Sequence, residues 1–322
     1  MWEASLYRNL MWKASAPSNI ALIKYMGKTP HSKNQAVNPS LSMTLGNFRT
    51  QVEIELLKDG SDRWAPLPGS APLREESTKR FVDFFSRIKK EREITESFLI
   101  RSGNNFPSDA GLASSASSFA ALTMAASAAF AEIQGRPIPS LEAQANLSRT
   151  GSGSSCRSFF SPWCAWEGEK ISAVASNLPD LTDLVAVIDT GFKKVSSSEA
   201  HRRVQESPLF ENRPERAELR QNEMKAALQA GKFQKVAEIS WAELWDMHSL
   251  FHTSNPPFFY LSPLSLAVLR WAENFWEKNG KGPITTVDAG PNIHLLVPTL
   301  EKDLYRRELE AIDGVSVLES RA

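Results

Sequence analysis

Apolar and polar residues alternate through "RTQVEIELL" (49–57), the period of a strand with one face buried. The period lengthens at "STKRFVDFFSRIKKERE" (77–93). There Phe81, Phe84, Phe85 and Ile88 recur at helical spacing and predict an amphipathic helix. A short apolar run, "SFLIRS" (97–102), reads as a strand, and "LASSASSFAALTMAASAAFAEI" (112–133) as a small-sided helix suited to close packing. "SLEAQANLSRTGSGSSCRSFF" (140–160) is a helix entering a Gly/Ser stretch, and "DLVAVIDT" (183–190) a buried strand. Residues 217–252 predict two helices broken near Gly231, and 262–280 a helix with a glycine stop. "ITTVDAGPNIHLLVP" (284–298) predicts two strands around a Gly-Pro turn.

These elements describe an α+β protein of two lobes. Residues 1–12 read as an N-terminal extension, 13–190 as the first domain and 191–322 as the second, with the boundary falling near 180–195. Its 322 residues are 42% hydrophobic, with nine Trp and seventeen Phe, enough for a sizeable core. Lys plus Arg equals Asp plus Glu at 37 each, so no global field favours nucleic acid or an anionic membrane. An anionic ligand must therefore be held by local groups. Two cysteines, Cys156 and Cys164, form neither a CxxC pair nor a Cys/His cluster, which suits a reducing compartment. The N-terminus lacks a signal-peptide pattern, and no stretch is expected to supply the ~20 apolar residues of a membrane helix. A cytoplasmic protein is expected.

"NNFPSDAGLASSAS" (104–117) joins a predicted strand to a predicted helix. A helix N-terminus offers unpaired N–H groups and the positive end of a dipole, so phosphate binds there readily. Gly111 allows close backbone approach, and Ser114 and Ser115 supply hydroxyls for phosphate or Mg2+. The pattern is neither a Walker loop nor GxGxxG, having one glycine and no following Lys. The plainer reading is a helix whose serines satisfy its first turn.

"PSDAGLASSAS" resembles the ATP phosphate loop of the GHMP kinase superfamily. With "APSNIALIKYMGK" (16–28), "SRTGSGSSCRSFF" (148–160) and "VDAGPN" (287–292), in that order, the chain resembles the mevalonate diphosphate decarboxylases over roughly residues 13–300. The resemblance implies an N-terminal α/β lobe carrying the phosphate loop and a smaller ferredoxin-like C-terminal lobe. It also implies ATP and Mg2+ as cofactors, mevalonate 5-diphosphate as substrate and a homodimer. In the family reaction, ATP phosphorylates the tertiary 3-hydroxyl, and phosphate then departs with CO2 to leave isopentenyl diphosphate.

Residue by residue, the resemblance assigns Asp288 as the acid that orients or deprotonates the 3-hydroxyl, Lys24 as its neighbouring ammonium and Arg157 as the holder of the substrate carboxylate. Asn19, Tyr25, Lys28, Ser152, Ser154 and Ser197 fall on substrate-lining positions. Asn104, Pro107, Gly111, Leu112, Ala113, Ser114 and Ser115 fall on nucleotide-binding ones, with Ser115 also a candidate for Mg2+. Read without the resemblance, Asp288 closes its own turn, Arg157 is a surface arginine, Lys28 a solvated loop lysine and the glycine-serine run a flexible turn. Lys24, within an apolar segment, calls for a partner on either reading.

Cys156 has no triad partner and reads as a packed thiol. His248 and His252, at i and i+4, lack a third ligand for zinc. Phe251, Phe258, Phe259 and Tyr260 read as core. Three stretches depart from the family pattern: Asp109 in the phosphate loop, residues 193–204, where Ser198 stands at a position some relatives give to Arg, and residues 247–260. A kinase of the same fold that does not decarboxylate, or a catalytically silent sensor, are the competing functions. The sensor predicts loss of Asp288, Lys24 or Arg157, and all three are present.

Overall fold

The computed structural model describes residues 10–29, 34–58, 60–107, 112–189 and 195–321. Gly111, Asp109, Lys193 and Lys194 lie outside them.

Two long strands open the chain, β1 (Met11–Ile23) and β2 (Ser40–Leu57), paired antiparallel with register shifts at Pro17/Ser18 and Ala21/Ile23. β3 (Arg63–Pro66), α1 (Glu75–Glu91) and β4 (Ser97–Asn104) follow, then α2 (Ser114–Ile133) and α3 (Leu141–Arg149). A 3-10 helix, Gly153–Phe159, leads into β5 (Trp163–Glu167) and β6 (Lys170–Ala173). The first sheet runs β3-β4-β2-β5-β6, with β1 on β2.

β7 (Leu181–Val187) belongs to a second sheet, so the change of sheet falls between Ala173 and Leu181. α4 (Ser197–Arg203), α5 (Arg213–Gln229), α6 (Phe233–Thr253), α7 (Pro263–Asn279), β8 (Ile284–Val287), β9 (Ile293–Pro298), α8 (Lys302–Glu310) and β10 (Ser316–Arg321) complete the chain. The second sheet runs β10-β7-β9-β8, antiparallel throughout. The expected break between α5 and α6 is at Gly231, whose φ of +65° disfavours any side chain.

Phe81, Phe84, Phe85 and Ile88 are buried, as the spacing of α1 predicts, and pack with Phe98, Phe119 and the alanines of α2 in the first core. α2 has the length and apolar composition of a membrane span, contrary to the expectation from sequence, but 78% of that window lies inside the protein. Its Ala120, Ala121, Ala125, Ala126 and Ala129 are wholly buried, so the helix is a core helix with short side chains for close packing. A second core crosses between the sheets, joining Ile20, Leu22, Leu41 and Met43 to Leu181, Val185, Met224, Leu228 and Leu296. Thr286 adds a hydrogen bond from its hydroxyl to the Ala21 carbonyl at 2.9 Å. The end of β1 and the end of β8 are thereby held together.

Phe251, Phe258 and Tyr260 are buried as expected; Phe259 is not. It is 68% exposed and stacks on His252 at 4.7 Å. Burial alternates along this stretch, with Phe258 and Tyr260 turned inward and Phe259 outward, so these apolar neighbours do not all face one core.

Candidate active site

β1 ends at Ile23, and Lys24 is the first residue beyond its ladder. Its ammonium is almost fully buried and meets Asp288 Oδ1 at 2.5 Å. Asp288 directly follows β8, where its carbonyl closes a tight turn by accepting from Gly290 N at 2.8 Å. Asn292 pins the far side of that turn, accepting from Ile188 N and Asp189 N at 2.7 and 3.0 Å. The turn and the ion pair coexist, so closing the turn with its backbone leaves the Asp288 side chain available to Lys24. Burial holds the Lys24 pKa below its ordinary value of 10.5, and the Asp288 carboxylate opposes that shift.

The pair lines a cavity of about 150 Å³ with Asn19, Tyr25, Lys28, Ser152, Ser154, Arg157 and Ser197, and with Ala113 and Ser115 from the start of α2. Segments separated by more than 250 residues meet here. Arg157 is not a surface arginine: it is 3% exposed, donates to Ser40 Oγ at 2.8 Å and lies 5.9 Å from the Tyr25 ring centroid. Its Nε has no hydrogen-bond partner, and no carboxylate pairs with it among the described residues. Asn19 donates to Ser158 Oγ and the Ser154 carbonyl at 2.9 and 3.2 Å, while its Oδ1 is unpartnered. A buried cation without a counter-ion is unfavourable unless an anion completes it.

The glycine-serine run is a tightly packed wall, not a flexible turn. A Cβ on Gly153 would stand 2.3 Å from the Tyr25 hydroxyl oxygen, and one on Gly151 2.2 Å from the Phe119 ring. Tyr25 is gripped between Trp166 at 5.2 Å and His201 at 4.4 Å. Burial pushes the Tyr25 phenol up to about 12, so it stays protonated at neutral pH. Cys156, beside Arg157, is fully buried with its thiol on the Gly153 carbonyl at 3.2 Å, and burial raises it to about 12. It is a packed thiol.

α2 begins without a side-chain cap or an acidic first turn. Its first flank, Ala113, has φ 46° and ψ 43°, a left-handed conformation that disfavours alanine by ~1–2 kcal/mol. Ser115 Oγ lies 3.2 Å from Ser152 Oγ inside the cavity. Of the other expected nucleotide residues that the structure describes, Asn104, Pro107, Leu112 and Ser114 do not line it. The Ser114 carbonyl accepts from the Ser117 and Ser118 hydroxyls. Leu112 packs in the core and its carbonyl accepts from the Ser18 hydroxyl. Pro107 is exposed. Asn104, whose Oδ1 accepts from Thr50 Oγ1 at 2.7 Å, faces a separate groove with Ser15, Arg49 and Gln51.

Arg80, His201 and Met247 also line the cavity, and sequence reasoning missed them. His201 could have been found, since it follows Ser197 by four residues on the same helical face. It accepts from Gly27 N through Nδ1 at 3.1 Å, and burial lowers it to about 3, so the ring is neutral. Arg80 donates to the Gly151 carbonyl at 2.6 Å and lies 5.0 Å from the Phe119 ring centroid. Nothing local distinguishes it from the other basic residues of α1. Lys24, Lys28, Arg80 and Arg157 thus face one carboxylate, Asp288, among the described lining residues. The cavity suits a polyanion.

Residues 16–176 match the family described as Diphosphomevalonate decarboxylase-like N-terminal domain, and residues 183–312 match the Mevalonate 5-diphosphate decarboxylase C-terminal domain. Diphosphomevalonate decarboxylase of Debaryomyces hansenii is 32% identical over 304 residues, covering 87% of this chain and 77% of that one. The crystal structure of a mevalonate diphosphate decarboxylase from Legionella pneumophila is 45% identical, with TM-score 0.89 over 96% of this chain and all of that one. A structure of MDDEF in complex with MVAPP, AMPPCP and magnesium is 28% identical, with TM-score 0.85 over 97% of this chain and all of that one. With both lobes matched and the paired lysine and aspartate in one cationic cavity, this chain belongs to the mevalonate diphosphate decarboxylase family.

Proposed function

We propose that the protein catalyses ATP-dependent decarboxylation of mevalonate 5-diphosphate to isopentenyl diphosphate, in the mevalonate route to isoprenoids. The observation that carries this reading is the placement of a Lys24–Asp288 ion pair and a buried, incompletely paired Arg157 around one cavity at the start of α2.

A β-hydroxy acid has no carbonyl to receive the electrons released with CO2, and hydroxide is a poor leaving group. Asp288 orients the tertiary hydroxyl and takes its proton as the oxygen attacks the γ-phosphorus of ATP, with ADP leaving. Lys24 holds the carboxylate ionised. In the second step the C3–O bond breaks with its electron pair going to phosphate. The C1–C2 pair becomes the C2=C3 bond, and CO2 departs. Arg157 binds the substrate carboxylate in the fork geometry that guanidinium shares with carboxylate. Asn19, Tyr25, Ser152, Ser154 and Ser197 shape the pocket around the mevalonate carbons, and Lys28 offsets diphosphate charge. The uncapped start of α2, Ala113 and Ser115 receives the transferred phosphate.

AMPPCP, an ATP analogue, and magnesium accompany MVAPP in the MDDEF structure. The residues here fit a nucleotide-borne Mg2+: Ser115 and Ser152 present hard oxygen donors, and no acidic cluster competes for the ion among the described residues. When bound, Mg2+ neutralises charge on the transferring phosphates. By analogy with the family we also infer a cytoplasmic homodimer, checked by fractionation and by light scattering.

The test supplies ATP, Mg2+ and mevalonate 5-diphosphate while following ADP and CO2 together. Equimolar ADP and CO2 is the expected result. ADP without CO2 supports the kinase reading, and neither product supports the sensor. Asp288→Asn abolishes both products while ATP binding persists; retained turnover in that variant overturns the mechanism.

A further inference from the structure

Lys24 lies past the end of its strand, so no ladder holds its peptide groups, and side chains hold them instead. Its N–H donates to Glu243 Oε1 at 2.9 Å. Its carbonyl accepts from Arg213 Nη2 at 2.7 Å and from Asn38 Nδ2 at 3.0 Å. Glu243, on α6, and Arg213, on α5, are wholly buried and bonded to each other through both carboxylate oxygens. Arg213 Nη1 also donates to Asp246 at 3.1 Å, and Arg220 reaches both Glu243 and Asp246.

We propose that Glu243, assisted by Arg213, is a positioning residue for the reaction, fixing the main chain of Lys24 from the C-terminal lobe and presenting a second negative charge to its ammonium. The assignment rests on the reading that Lys24 and Asp288 share the proton chemistry at the 3-hydroxyl. A neutral acceptor would satisfy the Lys24 N–H equally well, and Asp246 already offers Arg213 a counter-ion. What a carboxylate adds at Glu243 is a field at Lys24. Among the described residues, the charges and titratable groups around that ammonium are Asp288 from the turn after β8, Glu243 and the neutral His248 from α6, Arg213 from α5, and Arg157 from the 3-10 helix. Burial and Arg157 favour loss of the lysine proton, while Asp288 and Glu243 oppose it. With Glu243 neutralised, Asp288 alone opposes them.

The test compares Glu243→Gln, Glu243→Asp and Asp246→Asn with the parent protein. CO2 release at saturating substrate is measured against pH, and the Lys24 ammonium is titrated by NMR on 15N-lysine-labelled protein. In Glu243→Gln the alkaline limb and the Lys24 titration both move down by about one pH unit, with KM for mevalonate 5-diphosphate within about twofold of the parent. Asp246→Asn weakens the same cluster and leaves both where they were. Glu243→Asp keeps the charge but withdraws the carboxylate by one methylene, so the limb stays and kcat falls. An unmoved Lys24 titration in Glu243→Gln, or an equal movement in Asp246→Asn, overturns the proposal. Should Glu243→Gln fail to fold, full kcat in Glu243→Asp overturns it as well. Failure of the functional reading shows itself separately, as CO2 release by Asp288→Asn, and the NMR titration does not depend on turnover.

Discussion

Replacing Arg157 by methionine separates a binding arginine from a structural one, because the two roles move stability and activity differently. The guanidinium is 3% exposed, has one hydrogen bond, to Ser40, and leaves Nε unpartnered. Methionine fills similar space without charge. Removing the orphaned donor relieves about 1–3 kcal/mol of desolvation, and losing the Ser40 bond offsets about 1 kcal/mol. Net stability should therefore change by no more than about 2 kcal/mol, in the stabilising direction. With about 2.1 cal/mol/K of unfolding entropy per residue, a chain of 322 residues has roughly 0.7 kcal/mol/K. Tm should then rise by no more than about 3 °C. Breaking a complete buried ion pair would instead lower stability by about 3–5 kcal/mol, a fall of roughly 4–7 °C. Catalysis moves the other way: losing a buried, charge-assisted contact to the substrate carboxylate costs about 3 kcal/mol, a fall of roughly 150-fold in kcat/KM. Differential scanning calorimetry of the ligand-free protein and initial rates of CO2 release measure the two quantities. A Tm lowered by more than about 4 °C, with kcat/KM per folded molecule unchanged, refutes the assignment.

Gly153→Ala places a Cβ 2.3 Å from the Tyr25 hydroxyl, which must shift. Overpacking of this kind costs about 1–3 kcal/mol, and KM for mevalonate 5-diphosphate should rise while ATP affinity, measured by calorimetry, holds. His201 and His248 are buried neutral, each lowered to about 3 from 6.5. The unfolded chain binds more protons below pH 6.5, so stability falls as pH drops from 6.5 towards about 3. Well inside that window the loss is about 1.4 kcal/mol per pH unit for each ring. Urea unfolding at pH 7 and pH 5 checks this, and His201→Asn should reduce the slope; equal slopes in parent and variant count against it.

Local pattern made the longer helices and the strands β2, β4, β7, β8 and β9 legible, because burial of a single face imposes its period directly on neighbouring residues, whereas the short α4, α8, β3, β5, β6 and β10 were not predicted. Phe81, Phe84, Phe85 and Ile88 show this, as do the stops at Gly231 and Gly280. Three motif segments likewise pointed to Lys24, Arg157 and Asp288. Sequence could not decide what surrounds them. Arg80, Met247 and Glu243 come from α1 and α6, and long-range packing selects them without leaving a periodic trace; only His201, four residues after Ser197 on α4, carried a local signal. The same limit explains α2, whose composition fits lipid or core equally until the sheet that covers it is known. Phe259 and the wall residue Gly153 show it too, the first turned outward and the second held against Tyr25. Sequence determined which chemistry the chain carries. The tertiary structure decided which groups share a field, since electrostatic and steric effects act over ångströms in space and not along the chain.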